Sequence, residues 1–275
     1  NDMSFVVFTS GTEAAPKGVM RSANMLWAIG YGHAQKKRMV SDDIVYPAVP
    51  LTHSFGIDNG LMAPLLVAGA TVVLRDKFDP AGVAETIVQD RVTQVAAPPA
   101  VLKGLVDLPD IEKYDFPRGC VMASGGAACP AVVVRRLMAL GLRVSAIYGA
   151  SEGLAVETEM DYPPEAIAET VGTPYPFATL KIVGEDGREV KQGERGLISF
   201  RGPQTFSGYY HDEERTQAVV DTDGFVNAGD LGYVDGDGRL RIVGRKKEII
   251  VRGGENISPQ EIEDLLIPHP KLAEV

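Results

Sequence analysis

Six short apolar runs punctuate the first half of the chain: Phe5 to Phe8, Ile44 to Val49, Ala70 to Leu74, Gln94 to Ala97, Cys120 to Ala123 and Val144 to Tyr148. Their lengths suit strands. Stretches between them, such as Pro80 to Asp90 and Pro130 to Leu140, place apolar residues three and four apart and suit helices. Strand and helix in alternation predict a layered α/β architecture around a mostly parallel sheet. From about Val171 the texture changes to short β-type runs separated by turn dipeptides. Asp186-Gly187, Asp223-Gly224 and Asp237-Gly238 are such signals, the last lying between Gly232-Tyr233-Val234 and Leu240-Arg241-Ile242-Val243. The second half is therefore expected to be hairpin-rich. Ser258-Pro259-Gln260-Glu261 reads as a capping box that opens a further helix, which makes Glu261 a structural residue.

Composition removes several classes of function. With 45% apolar and 23% charged positions, the 275 residues can bury a core, so disorder is excluded. The 37 acidic against 27 basic residues, a net charge of −10, argue against a general nucleic-acid or anionic-membrane surface. Cys120 and Cys129 sit in apolar or small-residue company, which suits a reducing, cytoplasmic compartment and not a disulfide scaffold. No apolar run approaches the roughly 18 residues of a membrane span. The start, Asn1-Asp2-Met3-Ser4, runs almost at once into a strand-like segment, and Leu272-Ala273-Glu274-Val275 stops as though a strand were beginning. Truncation at both ends is the expectation.

Directly after the first apolar run stands Thr9-Ser10-Gly11-Thr12-Glu13-Ala14-Ala15-Pro16-Lys17-Gly18. Hydroxyls, backbone N–H groups and one ammonium in such a loop can cradle a polyphosphate. The spacing of Gly11 and Lys17 matches the loop of nucleoside-triphosphate kinases and ATPases. That reading fails at Pro16, which removes an N–H where a glycine is needed, and at Gly18, which lacks the hydroxyl that would hold magnesium. A plain strand-to-helix turn is the other reading.

The segment resembles the signature loop of the AMP-forming acyl-CoA synthetases, in the adenylate-forming superfamily, through Thr9, Ser10, Gly11, Thr12, Pro16, Lys17 and Gly18. Glu13 and Ala14 depart from the pattern, and a carboxylate in a pyrophosphate-wrapping loop is unfavourable unless it faces solvent or magnesium. Further matches follow in family order. Ser124-Gly125-Gly126-Ala127 resembles the segment against which adenine lies. Tyr148-Gly149-Ala150-Ser151-Glu152 resembles a motif whose tyrosine stacks on adenine, whose hydroxyl bonds the α-phosphate and whose glutamate ligates Mg²⁺. Asn227-Ala228-Gly229-Asp230 resembles the segment whose aspartate receives both ribose hydroxyls. Gly244-Arg245-Lys246-Lys247-Glu248 resembles the hinge between a large and a small domain, with Arg245 toward ribose or phosphate and Lys247 at the pivot. Arg252-Gly253-Gly254-Glu255 resembles the loop that approaches the pantetheine tunnel, although two glycines serve a simple turn equally well. Arg239, Arg241, Arg245, Lys246, Lys247 and Arg252 form a basic cluster where anionic ATP and CoA would dock.

The resemblance implies a large AMP-binding domain over residues 1–243 and the beginning of a small α+β lid over 244–275. Within the large domain it implies a layered α/β region followed by a β-rich, barrel-like region, with the active site in the crevice at the strand ends. It also implies two-step ligation: a carboxylate and Mg·ATP give acyl-AMP and pyrophosphate, then the thiolate of coenzyme A displaces AMP. Lys17, Ser151, Glu152 and Arg245 would offset phosphate charge. Pro50-Leu51-Thr52-His53-Ser54-Phe55-Gly56 falls where the family lines its acyl pocket, with His53 either a gate or a structural histidine. The segment lacks the aspartate pattern of amino-acid-activating relatives, so the expected partner is a plain small-molecule carboxylic acid. A lysine that the family carries far beyond the hinge is absent from these residues, so weak adenylation by this polypeptide is expected. Transfer of the acyl group to a carrier protein and a non-catalytic nucleotide-binding role stay open as alternatives.

Overall fold

The computed structural model describes residues 3–9, 16–252, 255–257, 259, 262 and 266. The expected capping box at 258–261 and the glycine pair Gly253-Gly254 fall on or among residues outside that set.

The first apolar run forms β1 (Met3–Thr9), but it does not enter a parallel sheet. It pairs antiparallel with β2 (Lys17–Ser22), Thr9 opposite Lys17. The connection between them is too short for a crossover, which needs a dozen or more residues, so the chain returns as a hairpin. This topology also disposes of the kinase-type loop, because Lys17 begins a strand where that loop requires a helix.

Ser22 then caps α1 (Ala23–Lys37), its Oγ accepting from Met25 N–H at 3.2 Å, and Arg38 ends the helix in the left-handed conformation. The main sheet follows. Strands β3 (Ile44–Pro47), β4 (Thr71–Val72), β5 (Gln94–Ala97), β6 (Val121–Gly125) and β7 (Arg143–Ala150) are parallel. Strands β8 (Gly153–Glu157) and β9 (Thr173–Pro174) turn back antiparallel, completing the order β4-β3-β5-β6-β7-β8-β9. The other five apolar runs expected from the sequence thus supply the parallel strands of this sheet. The expected helices lie at α3 (Pro80–Gln89) and α5 (Ala131–Ala139), after the short α2 (Ser54–Ile57) and with α4 (Pro99–Val106) between them. Asp79 caps α3 through its Oδ1, with Pro80 at the first helical position. An 11-residue π-helical segment, Asp58–Ala68, continues from α2 and has no counterpart in the apolar pattern.

The second half is a four-stranded antiparallel sheet in sequence order: β10 (Thr179–Val183), β11 (Gly196–Arg201), β12 (Val226–Val234) and β13 (Leu240–Arg245). Asp237-Gly238 makes the β12–β13 turn, as its sequence requires. α6 (Pro164–Glu169) and α7 (Glu213–Val219) flank the connections, and β14 (Ile250–Arg252) pairs with β15 (Glu255–Ile257).

Three apolar clusters hold these layers. One packs α3, α4 and α5, through Ile87, Leu105 and Leu137, on Val95, Met122 and Val144 of the parallel strands. A second joins Met25 and Ile29 of α1 with Tyr175 and with Ile198, Phe200, Val226 and Leu240 of the antiparallel sheet. A third, Val49, Phe55, Ala96, Ala123 and Ile147, lies toward the C-terminal ends of the parallel strands. Full burial of each large apolar side chain contributes about 1.5–3 kcal/mol, so the two sheets are held in a defined relation. The loops leaving β6 and β7 therefore face β12 and β13 across a gap.

Candidate active site

That gap is a cleft of about 510 Å³. Gly126, Ala127, Tyr148 and Gly149 line it from the parallel sheet, and Asp230, Gly244 and Arg245 line it from the antiparallel sheet. Residues far apart in the chain thus converge at the carboxyl ends of strands, where open α/β sheets place ligands.

Gly125 ends β6, and a Cβ there would lie 3.1 Å from Phe55 Cε2. Gly126 follows with φ +92°, in the region that favours glycine, and this turns the chain along the cleft wall. This part of the wall therefore carries nothing larger than the Ala127 methyl group.

Opposite it, Asp230 is buried and holds two partners. Tyr148 donates its hydroxyl hydrogen to Oδ2 at 2.5 Å, and Arg245 Nε lies 3.3 Å from Oδ1. Burial pushes the Asp230 carboxyl up; the Tyr148 hydrogen bond and the Arg245 charge oppose that rise. Burial, reinforced by the neighbouring Asp230, pushes the Tyr148 phenol well above its ordinary value, so Tyr148 is the proton donor of the pair.

A second group forms beside the cleft. Ala150 ends β7, and Ser151 and Glu152 make the turn into β8. Ser151 is buried and donates to Ser54 Oγ at 3.3 Å, tying this turn to α2. Glu152 Oε1 accepts from the Tyr209 hydroxyl at 2.6 Å. Lys17, at the head of β2, extends its ammonium over the Tyr209 ring, 4.9 Å from the centroid. Thr9 is paired with Lys17 across the hairpin. Ser10, Gly11 and Thr12, with Glu13 and Ala14, lie outside the described residues, as do Gly253 and Gly254.

His53 occupies the N-cap of α2, where its Nδ1 accepts from Phe55 N–H at 3.2 Å. The bond is a capping interaction, and it seats Phe55 against Gly125. Lys247 is exposed in the turn after β13. The basic cluster is less free than its sequence suggests. Arg239 pairs with Asp237 at 3.2 Å, and Arg241 with Glu169 at 3.0 Å and Asp235 at 3.1 Å. Acidic residues of the turn and of α6 thus already engage Arg239 and Arg241 within the basic cluster.

Glu152 fits a magnesium ligand of the phosphate-completed kind. Mg²⁺ is ordinarily held by one or two carboxylates plus substrate phosphates. Among the described residues no group of three or more His, Cys, Asp or Glu could hold a metal ion by itself. Tyr209 is the contributor that the motifs did not single out. Gly208-Tyr209-Tyr210 carries no repeat or spacing of its own, and only its apposition to β2 discloses it.

Residues 1–210 match the AMP-binding enzyme family. The chain is 36% identical over 272 residues to indoleacetate–CoA ligase of Aromatoleum aromaticum, covering 98% of this chain and 53% of that protein. It is 33% identical to the medium-chain fatty-acid–CoA ligase of Escherichia coli, covering 99% and 48%. Among solved structures, ATP-bound MatB from Rhodopseudomonas palustris superimposes with a TM-score of 0.90 at 29% identity, over 98% of this chain and 53% of that one. The chain spans about half the length of the curated relatives it matches. By the family match over most of its length, it belongs to the AMP-binding enzymes.

Proposed function

We propose that this chain supplies the nucleotide-binding part of an ATP-dependent acid–CoA ligase. Residues 1–243 serve as the AMP-binding body, and 244–275 begin the lid. The observation that carries the reading is the meeting of Tyr148 with Asp230 and Arg245 across a cleft whose neighbouring wall carries only the small residues Gly126 and Ala127. A flat base needs a ledge without side chains and an aromatic neighbour, and a ribose diol needs a carboxylate that can accept two hydrogen bonds.

In this reading Asp230 accepts from the ribose, Tyr148, Gly149 and Ala150 border the base, and Arg245 contacts ribose or phosphate. Thr9, Ser10, Gly11, Thr12 and Lys17 are assigned to the outer phosphates by the loop motif, and Ser151 would exchange its bond to Ser54 for one to the α-phosphate. Glu152 would hold Mg²⁺, which supplies neutralisation of phosphate charge when bound. Attack of a small carboxylic acid on the α-phosphorus gives acyl-AMP and pyrophosphate. The thiolate of coenzyme A then attacks the carbonyl carbon and AMP leaves, with Lys247 assigned to the hinge and Gly253-Gly254 to the thiol step by the motif order. His53 borders the acid. The protein contributes positioning and electrostatic stabilisation, with no covalent attachment to its own side chains. Similarity to CoA ligases supports this assignment, and the two free buried cysteines suit the cytoplasmic setting that we propose with it.

Calorimetric titration of AMP into the 275-residue chain and its Asp230→Ala variant tests it. Loss of tenfold or more in affinity is expected from removal of the diol acceptor. Equal affinity of the two proteins would overturn the site.

A further inference from the structure

Tyr209 is 3% exposed, and two of the motifs named above meet on its side chain. Its hydroxyl donates to Glu152 Oε1 at 2.6 Å, and its ring lies beneath the Lys17 ammonium. The backbone around it is equally committed. Ser207 N–H donates to Met20 O at 3.0 Å, Met20 N–H to Gly208 O at 3.0 Å and Tyr210 N–H to Gly18 O at 2.7 Å. The 207–210 segment is therefore laid against β2, the strand that begins with Lys17. On the other side, Phe206 N–H donates to Glu152 O at 2.9 Å, and the Phe206 ring meets Tyr209 edge-on with centroids 5.0 Å apart. Tyr209 N–H is bound in turn by Thr216 Oγ1 at 2.9 Å.

We propose that Tyr209 is a positioning residue that holds Glu152 and Lys17 in register for a single magnesium–phosphate group. The inference rests on the reading of Glu152 as a magnesium ligand and Lys17 as a phosphate ligand. Its physical basis is the different hold on each charge. A phenol donating to one carboxylate oxygen fixes the plane of the carboxylate and leaves Oε2 for the metal; hydrogen bonds to charged groups are among the strong ones. The π face restrains the long lysine stem without neutralising its charge. A carboxylate in place of the phenol would pair with Lys17 and remove it from the phosphate.

The test is ATP affinity of the 275-residue chain, measured by calorimetry in Mg²⁺ and in a chelator, for the unmodified protein, Tyr209→Phe, Tyr209→Leu, Glu152→Gln and the Tyr209→Phe/Glu152→Gln double variant. Tyr209→Phe keeps the ring, so affinity in chelator stays unchanged while the enhancement by Mg²⁺ falls on the order of tenfold. The double variant is then no weaker than Glu152→Gln alone. Tyr209→Leu additionally loses about threefold in chelator, because the cation–π contact to Lys17 is gone. A purely structural Tyr209 would weaken binding equally with and without Mg²⁺, and that result overturns the proposal. So does full retention of the Mg²⁺ enhancement in Tyr209→Phe. If Glu152→Gln leaves the enhancement intact, the magnesium assignment itself fails, an outcome distinct from failure at Tyr209 alone.

Discussion

Tyr148 on β7 donates its hydroxyl hydrogen to Asp230 on β12 across 2.5 Å, joining the parallel and antiparallel sheets at the cleft. The carboxylate that a ribose would use is already engaged, with Arg245 on its other oxygen. Nucleotide binding at Asp230 therefore competes with, or shares, the Tyr148 bond. Tyr148→Phe retains the aromatic face and releases Oδ2. The variant is expected to lose about 1–2 kcal/mol of stability in urea unfolding while binding AMP at least as tightly as the unmodified chain. A tenfold loss of AMP affinity would show that the hydroxyl itself contacts the nucleotide.

A buried charge network ties α1 to the main sheet. Glu157 accepts from Tyr175 at 3.2 Å and Ser145 at 3.0 Å, contacts His33 Nδ1 at 3.0 Å, and pairs with Lys37. Burial alone would raise the Glu157 pKa, but His33 and Lys37 outweigh it and hold the carboxyl at about 2. Burial also pushes the Lys37 ammonium down, against the opposing charge of Glu157. Four side chains, Tyr175, Ser145, His33 and Lys37, thus surround the buried carboxylate. A carboxyl depressed in the folded state contributes stability that is fully present above its unfolded value near 4.5 and is lost as pH falls toward about 2. Glu157→Gln, which leaves Lys37 buried without its counter-charge, is expected to cost about 3–5 kcal/mol at neutral pH. Its stability should also vary less than that of the unmodified chain between pH 4.5 and 2. Urea unfolding across that range measures both.

Gly153 sets the turn that carries Glu152. Its φ is +130°, and a Cβ there would lie 2.3 Å from the carbonyl oxygen of Gln204. Gly153→Ala forces either the turn or the 202–206 segment to move, at a cost of at least about 1–3 kcal/mol. A lowered unfolding midpoint is expected together with loss of Mg²⁺-enhanced ATP binding. A variant with a lowered midpoint but intact enhancement would separate the turn from the metal site.

Burial pushes the Cys129 thiol up to about 11 and the Cys120 thiol up to about 12. Both are free, and Cys129 borders the cleft wall. Thiolate is the reactive form, so a thiol reagent at mildly alkaline pH should leave the native chain unlabelled. Unfolding in guanidinium should expose two equivalents. Labelling of Cys129 in the native state, blocked by AMP, would show that the wall opens to solvent.

Legibility in the sequence followed exposure. α3 and α5 bury one face each, Val83, Ala84 and Ile87 in the first and Val133, Val134 and Leu137 in the second, so their apolar spacing marks them. α1 buries Met25, Leu26, Ala28, Ile29, Gly30, Gly32, His33, Ala34 and Lys37, nearly all round its axis, and the 3.6-residue signal fades. The π-helical segment Asp58–Ala68 has a different pitch and escapes a search at helical period. Strand residues Phe5 to Phe8 are plainly β-type, but the period of a strand does not say which sheet receives it.

The order of the motifs, the strand and helix alternation and the turn dipeptides are local properties of the chain, legible because backbone preference and apolar period act within a few residues. They carry the layered α/β class, the hairpin-rich second half and the family resemblance. Which side chains touch is a different matter. Tyr148 meets Asp230 from 82 positions away and Tyr209 meets Glu152 from 57, pairings that no local preference encodes. They arise because packing of the apolar clusters brings the two sheets and the 207–210 segment together. The Arg241–Glu169 ion pair, between residues 72 positions apart, is likewise a product of the tertiary structure.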